Sequence, residues 1–153
     1  MAFKTEKEYQ ECRKSLSDFL WHEVDPIVGE MEATSHIPYE KLIPPFSKLG
    51  LLGAVIPEKY GGIDLTIGQY LPVLAELSKV SGAIRAWIHV HNTSARALVV
   101  YAKEGMKREL LPKIATGELS VGFSLTEANS GTGRDVKSTA VRKGDYFVLN
   151  GEK

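Results

Sequence analysis

The chain has 153 residues, 43% of them apolar and 25% charged, which is ordinary globular composition with enough surface to bury a true core. Lys plus Arg and Asp plus Glu both number 19, so the formal net charge is zero and the broad basic field that nucleic acid or an anionic membrane would require is missing. Cys12 stands alone and can close no internal disulfide, no apolar run approaches the roughly 20 residues of a membrane span, and the N-terminus "MAFKTEKEYQECRK" lacks a signal-peptide core. A cytoplasmic chain without nucleic-acid or membrane partners is expected.

From Thr5 to about Glu30 the apolar residues Tyr9, Cys12, Leu16, Phe19 and Leu20 recur at steps of three and four, the mark of an amphipathic helix that Pro26 and Gly29 weaken at its end. A second helical stretch follows Ile37, with Leu42, Ile43, Phe46 and Leu49 on one side. Pro44 and Pro45 must begin, kink or split it, because neither can donate a hydrogen bond. "LGLLGAVIPEKYGGIDLT" reads as a loop. Thr66 is a candidate N-cap for a third helix to about Lys79, with Pro72 inside it. The fourth, about Gly82 to Lys103, is apolar nearly all round and is expected to be central to a bundle. A fifth, about Met106 to Ala115, is short.

Then the period changes from helical to two. "ELSVGFSL" alternates, with Val121, Phe123 and Leu125 on one face. "VKSTAVRKGDYFVLNG" reads as two strands joined at Lys143-Gly144-Asp145. Helices first and antiparallel strands second is an α+β order, with a helical domain over 1–117 and a second domain over 118–153. Asn150-Gly151 is a turn signal without a returning strand, so the second domain is expected to be incomplete and the chain truncated.

Between the strands lies "GFSLTEANSGTGRD", Gly122 to Asp135. A nucleophile elbow is absent, since Gly122-Phe123-Ser124-Leu125 ends in Thr126 rather than Gly. A P-loop fails because Gly133 is followed by Arg134-Asp135 and a strand, and a dinucleotide fingerprint lacks its third glycine and its helix. Metal ligation finds no support: His22 and His36 are isolated, and His89 and His91 point to different faces of one helix. What remains is a loop of small residues with free hydroxyls and main-chain N–H groups. From the residues alone, an anion or cofactor cradle and a plain connecting loop both stay open.

The order of these residues adds more. "GFSLTEANSGTGRD" followed by "STAVRKGDYFVLNGEK" closely resembles the signature of the acyl-CoA dehydrogenase family, in which a strand ending in Thr-Glu, a Gly-rich loop and a hairpin ending in Asn-Gly-x-Lys follow one another. "LGLLGAVIPEKYGG" and "KRELLPKIATGELSVGFSLTE" resemble that family's upstream segments, so the likeness covers nearly the whole chain. It implies an N-terminal antiparallel helical bundle, the first strands of a middle β-barrel, and a C-terminal helical bundle that this chain lacks. It further implies FAD as cofactor, an acyl-CoA substrate, electron-transfer flavoprotein as acceptor, a homotetramer or homodimer, and a place in fatty acid or amino acid catabolism. By resemblance, Phe123, Ser124 and Leu125 lie along the flavin, Thr126 gives its hydroxyl and amide to the ring's pyrimidine edge, and Gly131 and Thr132 approach the pyrophosphate, Thr132 also bordering the acyl-CoA.

Two departures stand out: Ala128 takes the place of the family's proline, and Thr132-Gly133 that of its Ser-Asp pair, for which Asp135 is a substitute two residues on. The family's base, a glutamate, belongs to the C-terminal domain, so no catalytic residue is assigned in this chain and the chain alone is expected to be inactive. Glu127, beside Thr126, is structural on this resemblance. Matching the Thr-Glu motifs without gaps puts Arg85, Ala86, His89 and Thr93 near the acyl pocket. These polar residues suit a short, polar or acid-bearing acyl group, unless Arg85 and His89 simply pair with acids of the bundle. Two rival functions stay open: a flavin-dependent oxidase or monooxygenase of the same fold, and a non-catalytic helical interaction module.

Overall fold

The computed structural model describes residues 5–128, 130 and 135–153. It divides into two compact units, Met1–Gly122 and Phe123–Lys153.

The first unit is helical. Helix α1 (Glu6–Phe19) starts where the Thr5 hydroxyl accepts from the Glu8 N–H, with Glu6 and Glu8 in the first turn complementing the helix dipole. A wider π-type turn, Leu20–Val24, joins it to α2 (Asp25–Thr34), and the Asp25 N–H reaches back five residues to the Leu20 carbonyl. Pro26 follows at once. Its ring would crowd the carbonyl four residues earlier in a regular helix, so the widened turn lets the chain stay helical where the proline was expected to weaken it.

Helix α3 (Tyr39–Lys48) runs through both Pro44 and Pro45 as one element. The carbonyls these prolines leave without a donor belong to Glu40 and Lys41, both exposed residues, at which water can stand in for the missing N–H. The same holds for Pro72 in α4 (Ile67–Val80) and Pro112 in α6 (Glu104–Thr116), whose bereft carbonyls are those of exposed Gly68 and Arg108. Thr66 caps α4 as the sequence predicts, and Gln69 completes the capping box by accepting from the Thr66 N–H.

Helix α5 (Gly82–Tyr101) starts at the Ser81 cap and spans two apolar clusters. Ile84 and Ile88 join the larger one, with Leu16, Leu20, Phe46 and Leu77; the Trp87 ring lies 5.7 Å from Phe46 and 4.9 Å from Tyr39. Ala95 joins the smaller one, with Ile56, Tyr60, Leu111 and Ile114. Unlike a helix buried all round, α5 leaves Ala86, Val90, Thr93, Ala97 and Val100 exposed. The apolar composition that predicted full burial is divided between a core face and a solvent face.

Where α5 passes between the clusters, two polar side chains are buried. Asn92 donates to the carbonyls of Leu51 (2.8 Å) and Ile88 (3.0 Å) and accepts from the Val55 N–H (3.3 Å). Its neighbour His91 places Nε2 3.2 Å from the Ile114 carbonyl, and burial pushes its pKa down, keeping the ring neutral. The connection from Leu51 to Leu65, read as a loop, is therefore a largely buried floor with single tight turns at Leu51–Gly53 and Glu58–Tyr60, and only Glu58, Lys59, Gly61 and Asp64 of it are exposed.

In the second unit, β1 (Thr139–Lys143) pairs antiparallel with β2 (Tyr146–Asn150), Val141 opposite Val148. The two-residue connection has its positive φ at Gly144 alone (62°), the pattern of a type II′ turn. The stretch 118–125, which the alternation predicts as a strand, forms no ladder among the described residues. Alternation gives a segment two faces, but a strand exists only where its backbone finds a partner.

Asn92→Leu keeps volume but strands the Leu51 carbonyl and the Val55 N–H. A loss of about 2–4 kcal/mol of stability is expected in denaturant unfolding. A loss below about 1 kcal/mol would show that the floor is held by apolar contacts alone.

Candidate functional site

Two groups of polar residues lack the protein partners that buried or ordered polar groups normally have. The first lies in the second unit. From Phe123 to Thr126, no described backbone acceptor takes a main-chain N–H. Phe123 (64% exposed), Ser124 and Thr126 face solvent, and Leu125 is half-buried. Four residues on, the Ser130 hydroxyl oxygen is buried with no partner.

This open segment is anchored behind by Glu127. Its main chain closes a tight turn with Ser130, each N–H donating to the other's carbonyl at 3.1 and 3.3 Å. Its buried carboxylate accepts from the N–H groups of Lys137 (2.6 Å) and Ser138 (2.9 Å), from the Ser138 hydroxyl, and from the Lys153 ammonium (2.9 Å). Lys153 also donates to the Leu125 carbonyl at 2.8 Å. Gly151 makes this possible: a Cβ there would overlap the Ser138 side chain.

Exposed donors on an extended segment, an open aromatic ring and a rigid backing suit the edge of a flat heteroaromatic group that carries carbonyls. The residues present therefore fit a flavin. Gly131 and Thr132, the residues expected at its pyrophosphate, lie outside the described residues. Among the described residues no group of three or more His, Cys, Asp or Glu could hold a metal, and no helix is long and apolar enough to cross a membrane.

The second group lies in the helical unit, on α4 and α5. Arg85 and His89 are half-buried, Ala86 and Thr93 exposed. Arg85 has no carboxylate within ion-pair distance among the described residues, and the buried His89 Nδ1 has no partner. Pairing with acids of the bundle, the plainer expectation for these two, is not what the structure shows. Sequence reasoning missed Tyr70. This α4 residue is buried, its ring stacks on His89 at 6.4 Å between centroids, and its hydroxyl has no partner. Burial pushes the phenol well above its ordinary range, with Arg85 pulling the other way. The missing signal was the pairing of α4 with α5, which no periodicity within one helix reveals.

The Lys153 ammonium, then the Ser138 hydroxyl and the two backbone N–H groups, hold the Glu127 carboxyl down to about 2. The unfolded chain binds that proton near the ordinary 4.5, so the carboxylate stabilises the hairpin unit above that pH and the benefit drains away as pH falls toward 2. Carboxyl NMR should show a Glu127 midpoint near 2, with amide protection at Lys137 and Ser138 declining below 4.5. A midpoint near 4.5 would mean the carboxylate is not held.

Residues 6–118 match the model of the acyl-CoA dehydrogenase N-terminal domain. Glutaryl-CoA dehydrogenase of Desulfococcus multivorans is 32% identical over 157 residues, covering 100% of this chain and 40% of its own length. The short-chain-specific acyl-CoA dehydrogenase of Clostridium acetobutylicum is 31% identical, covering 100% of this chain and 41% of its own. Among solved structures, a glutaryl-CoA dehydrogenase in complex with glutaryl-CoA superposes with a TM-score of 0.86 at 32% identity over 99% of this chain and 39% of its own. A glutaryl-CoA dehydrogenase of Mycobacterium smegmatis in complex with FADH2 gives 0.87 at 26%, over 96% and 38%. A chain from work on the electron-transferring flavoprotein of Acidaminococcus fermentans gives 0.81 at 33%, over 99% and 40%. The chain thus spans about 40% of the length of the relatives it matches. With the signature Thr126-Glu127 and the closing Asn150-Gly151-Glu152-Lys153 joined in one cluster, the chain belongs to the acyl-CoA dehydrogenase family.

Proposed function

We propose that the protein carrying this chain removes hydrogens from the α and β carbons of an acyl-CoA thioester, with FAD held in part by Phe123, Ser124, Leu125 and Thr126. The observation that supports the reading is the run of N–H groups before the Glu127 anchor that no described backbone acceptor takes. When bound, the flavin supplies the hydride acceptor. This chain contributes the amide and hydroxyl of Thr126, donors aimed where negative charge develops. Gly131 and Thr132 are assigned to the pyrophosphate, and Thr132 also to the edge of the acyl-CoA.

No carboxylate of this chain is assigned as the base. Glu127 is beside Thr126, but its carboxylate already accepts from four protein donors and its low pKa makes it a poor proton acceptor near neutrality. The relatives are about two and a half times as long, and the base is placed in the part without counterpart here. On the same reading the electron acceptor is an electron-transfer flavoprotein and the assembly a homodimer or homotetramer.

Arg85, Ala86, His89 and Thr93 are assigned to the acyl end of the substrate. An unpaired guanidinium with an unpartnered imidazole nitrogen suits a short acyl group bearing a carboxylate or other polar end better than a long saturated tail. Glutaryl-CoA, named with one of the matching structures, has that chemistry. The full-length protein should purify yellow and turn over a dicarboxylyl thioester in preference to a long-chain one. Arg85→Leu should lower kcat/KM for the dicarboxylyl substrate by about 10–100-fold, the worth of one charge-assisted hydrogen bond, and change a short straight-chain substrate far less. Preference for the long chain would end the substrate assignment; a preparation that binds no flavin would end the enzyme assignment.

A further inference from the structure

We propose that Lys153, held by Glu127, is a positioning residue that fixes the orientation of the Leu125–Thr126 peptide, and thereby tunes the flavin's reduction potential as well as its affinity. This rests on the flavin reading above and adds a role for two residues outside the segment assigned to the cofactor.

The Leu125 carbonyl accepts from Lys153 Nζ at 2.8 Å. A trans peptide is planar, with its C=O and the following N–H pointing in opposite directions. Fixing the carbonyl on Lys153 therefore turns the Thr126 N–H the other way, and no described backbone acceptor takes that N–H. The ammonium cannot follow the carbonyl if the peptide rotates, because Glu127 holds it at 2.9 Å. Glu127 is in turn anchored: it is buried and takes two further backbone N–H groups from Lys137 and Ser138. The result is a chain of restraint from hairpin to ammonium to carbonyl to amide.

The pair carries no net charge, so its effect on a neighbouring group comes through aim rather than field. An N–H kept in one direction costs nothing to reorganise when charge develops beside it; a freely rotating one must be ordered first. Losing the aim should therefore weaken the reduced, more negative form of the cofactor more than the oxidised form. A residue that only stabilised the fold would weaken both alike.

The test uses full-length protein, titrated with oxidised FAD and poised electrochemically. In Lys153→Met the ratio of reduced to oxidised flavin affinity should fall about tenfold, equivalent to a potential about 30 mV more negative for a two-electron couple. Lys153→Arg, which keeps a cation able to reach both oxygens, should recover most of that shift. Glu127→Gln keeps the ammonium–carbonyl bond but loosens the ammonium. It leaves a positive charge where Lys153→Met leaves a negative one, so a smaller shift in the same negative direction reports lost aim rather than field, and this variant serves if the methionine variant does not fold. A flavin-loaded variant with unchanged potential overturns the proposal while leaving the flavin reading intact. Wild-type protein without affinity for FAD overturns both.

Discussion

One carboxylate governs the second unit. Glu127 gathers two successive backbone N–H groups, a hydroxyl and an ammonium, and these donors come from segments 10 to 26 positions further along the chain. An isolated two-stranded hairpin is marginal in water, and this one leaves Val141, Tyr146, Phe147 and Leu149 exposed. Apolar burial therefore does little to hold these residues together. Charge-assisted hydrogen bonds do so instead, and their strength rests on the carboxylate staying ionised, which its depressed pKa ensures at any ordinary pH.

The helical unit uses the same device with a neutral side chain. Asn92 secures both ends of the Leu51–Val55 turn, so a connection rich in glycine can serve as the floor of two apolar clusters without leaving buried backbone groups unpaired. It sits where α5 passes from one cluster to the other. An apolar residue at that place would gain contacts but strand the carbonyl and N–H below it, which is the larger effect.

Much of the helical unit was legible because its signals are local. The Thr66 cap, the steps from Leu42 to Phe46, and the opposite faces of His89 and His91 each depend on residues within one or two turns. The prolines misled because a ring inside a helix is judged by the hydrogen bond it removes. Whether the loss matters depends on where the bereft carbonyl lies, and Glu40 and Lys41 are exposed. The alternating stretch before Glu127 misled for the opposite reason, since its pattern is strand-like but pairing is not a local property. In the candidate site, the loop and its order were readable, whereas the reach of Lys153 back to Leu125 spans 28 positions and no spacing rule announces it. Tyr70 was invisible in the same way.

Both candidate regions contain buried polar atoms without a partner: the Tyr70 hydroxyl, the His89 Nδ1 and the Ser130 hydroxyl. Asn92 and Glu127 have theirs matched, whereas Arg13 Nε, His91 Nδ1 and the Ser94 hydroxyl, outside these regions, share the vacancy. Each such vacancy costs about 1–3 kcal/mol if nothing ever fills it, which a domain with only about 5–15 kcal/mol of net stability has little room to carry at several places. A ligand that supplies the missing partners recovers that cost on binding. It also rejects analogues that lack the matching group, because they leave the vacancy in place. On the substrate reading proposed above, specificity for a polar acyl end follows from the unpartnered atoms of α4 and α5, whereas the contacts that Leu or Ile would offer in their place are available to any hydrocarbon.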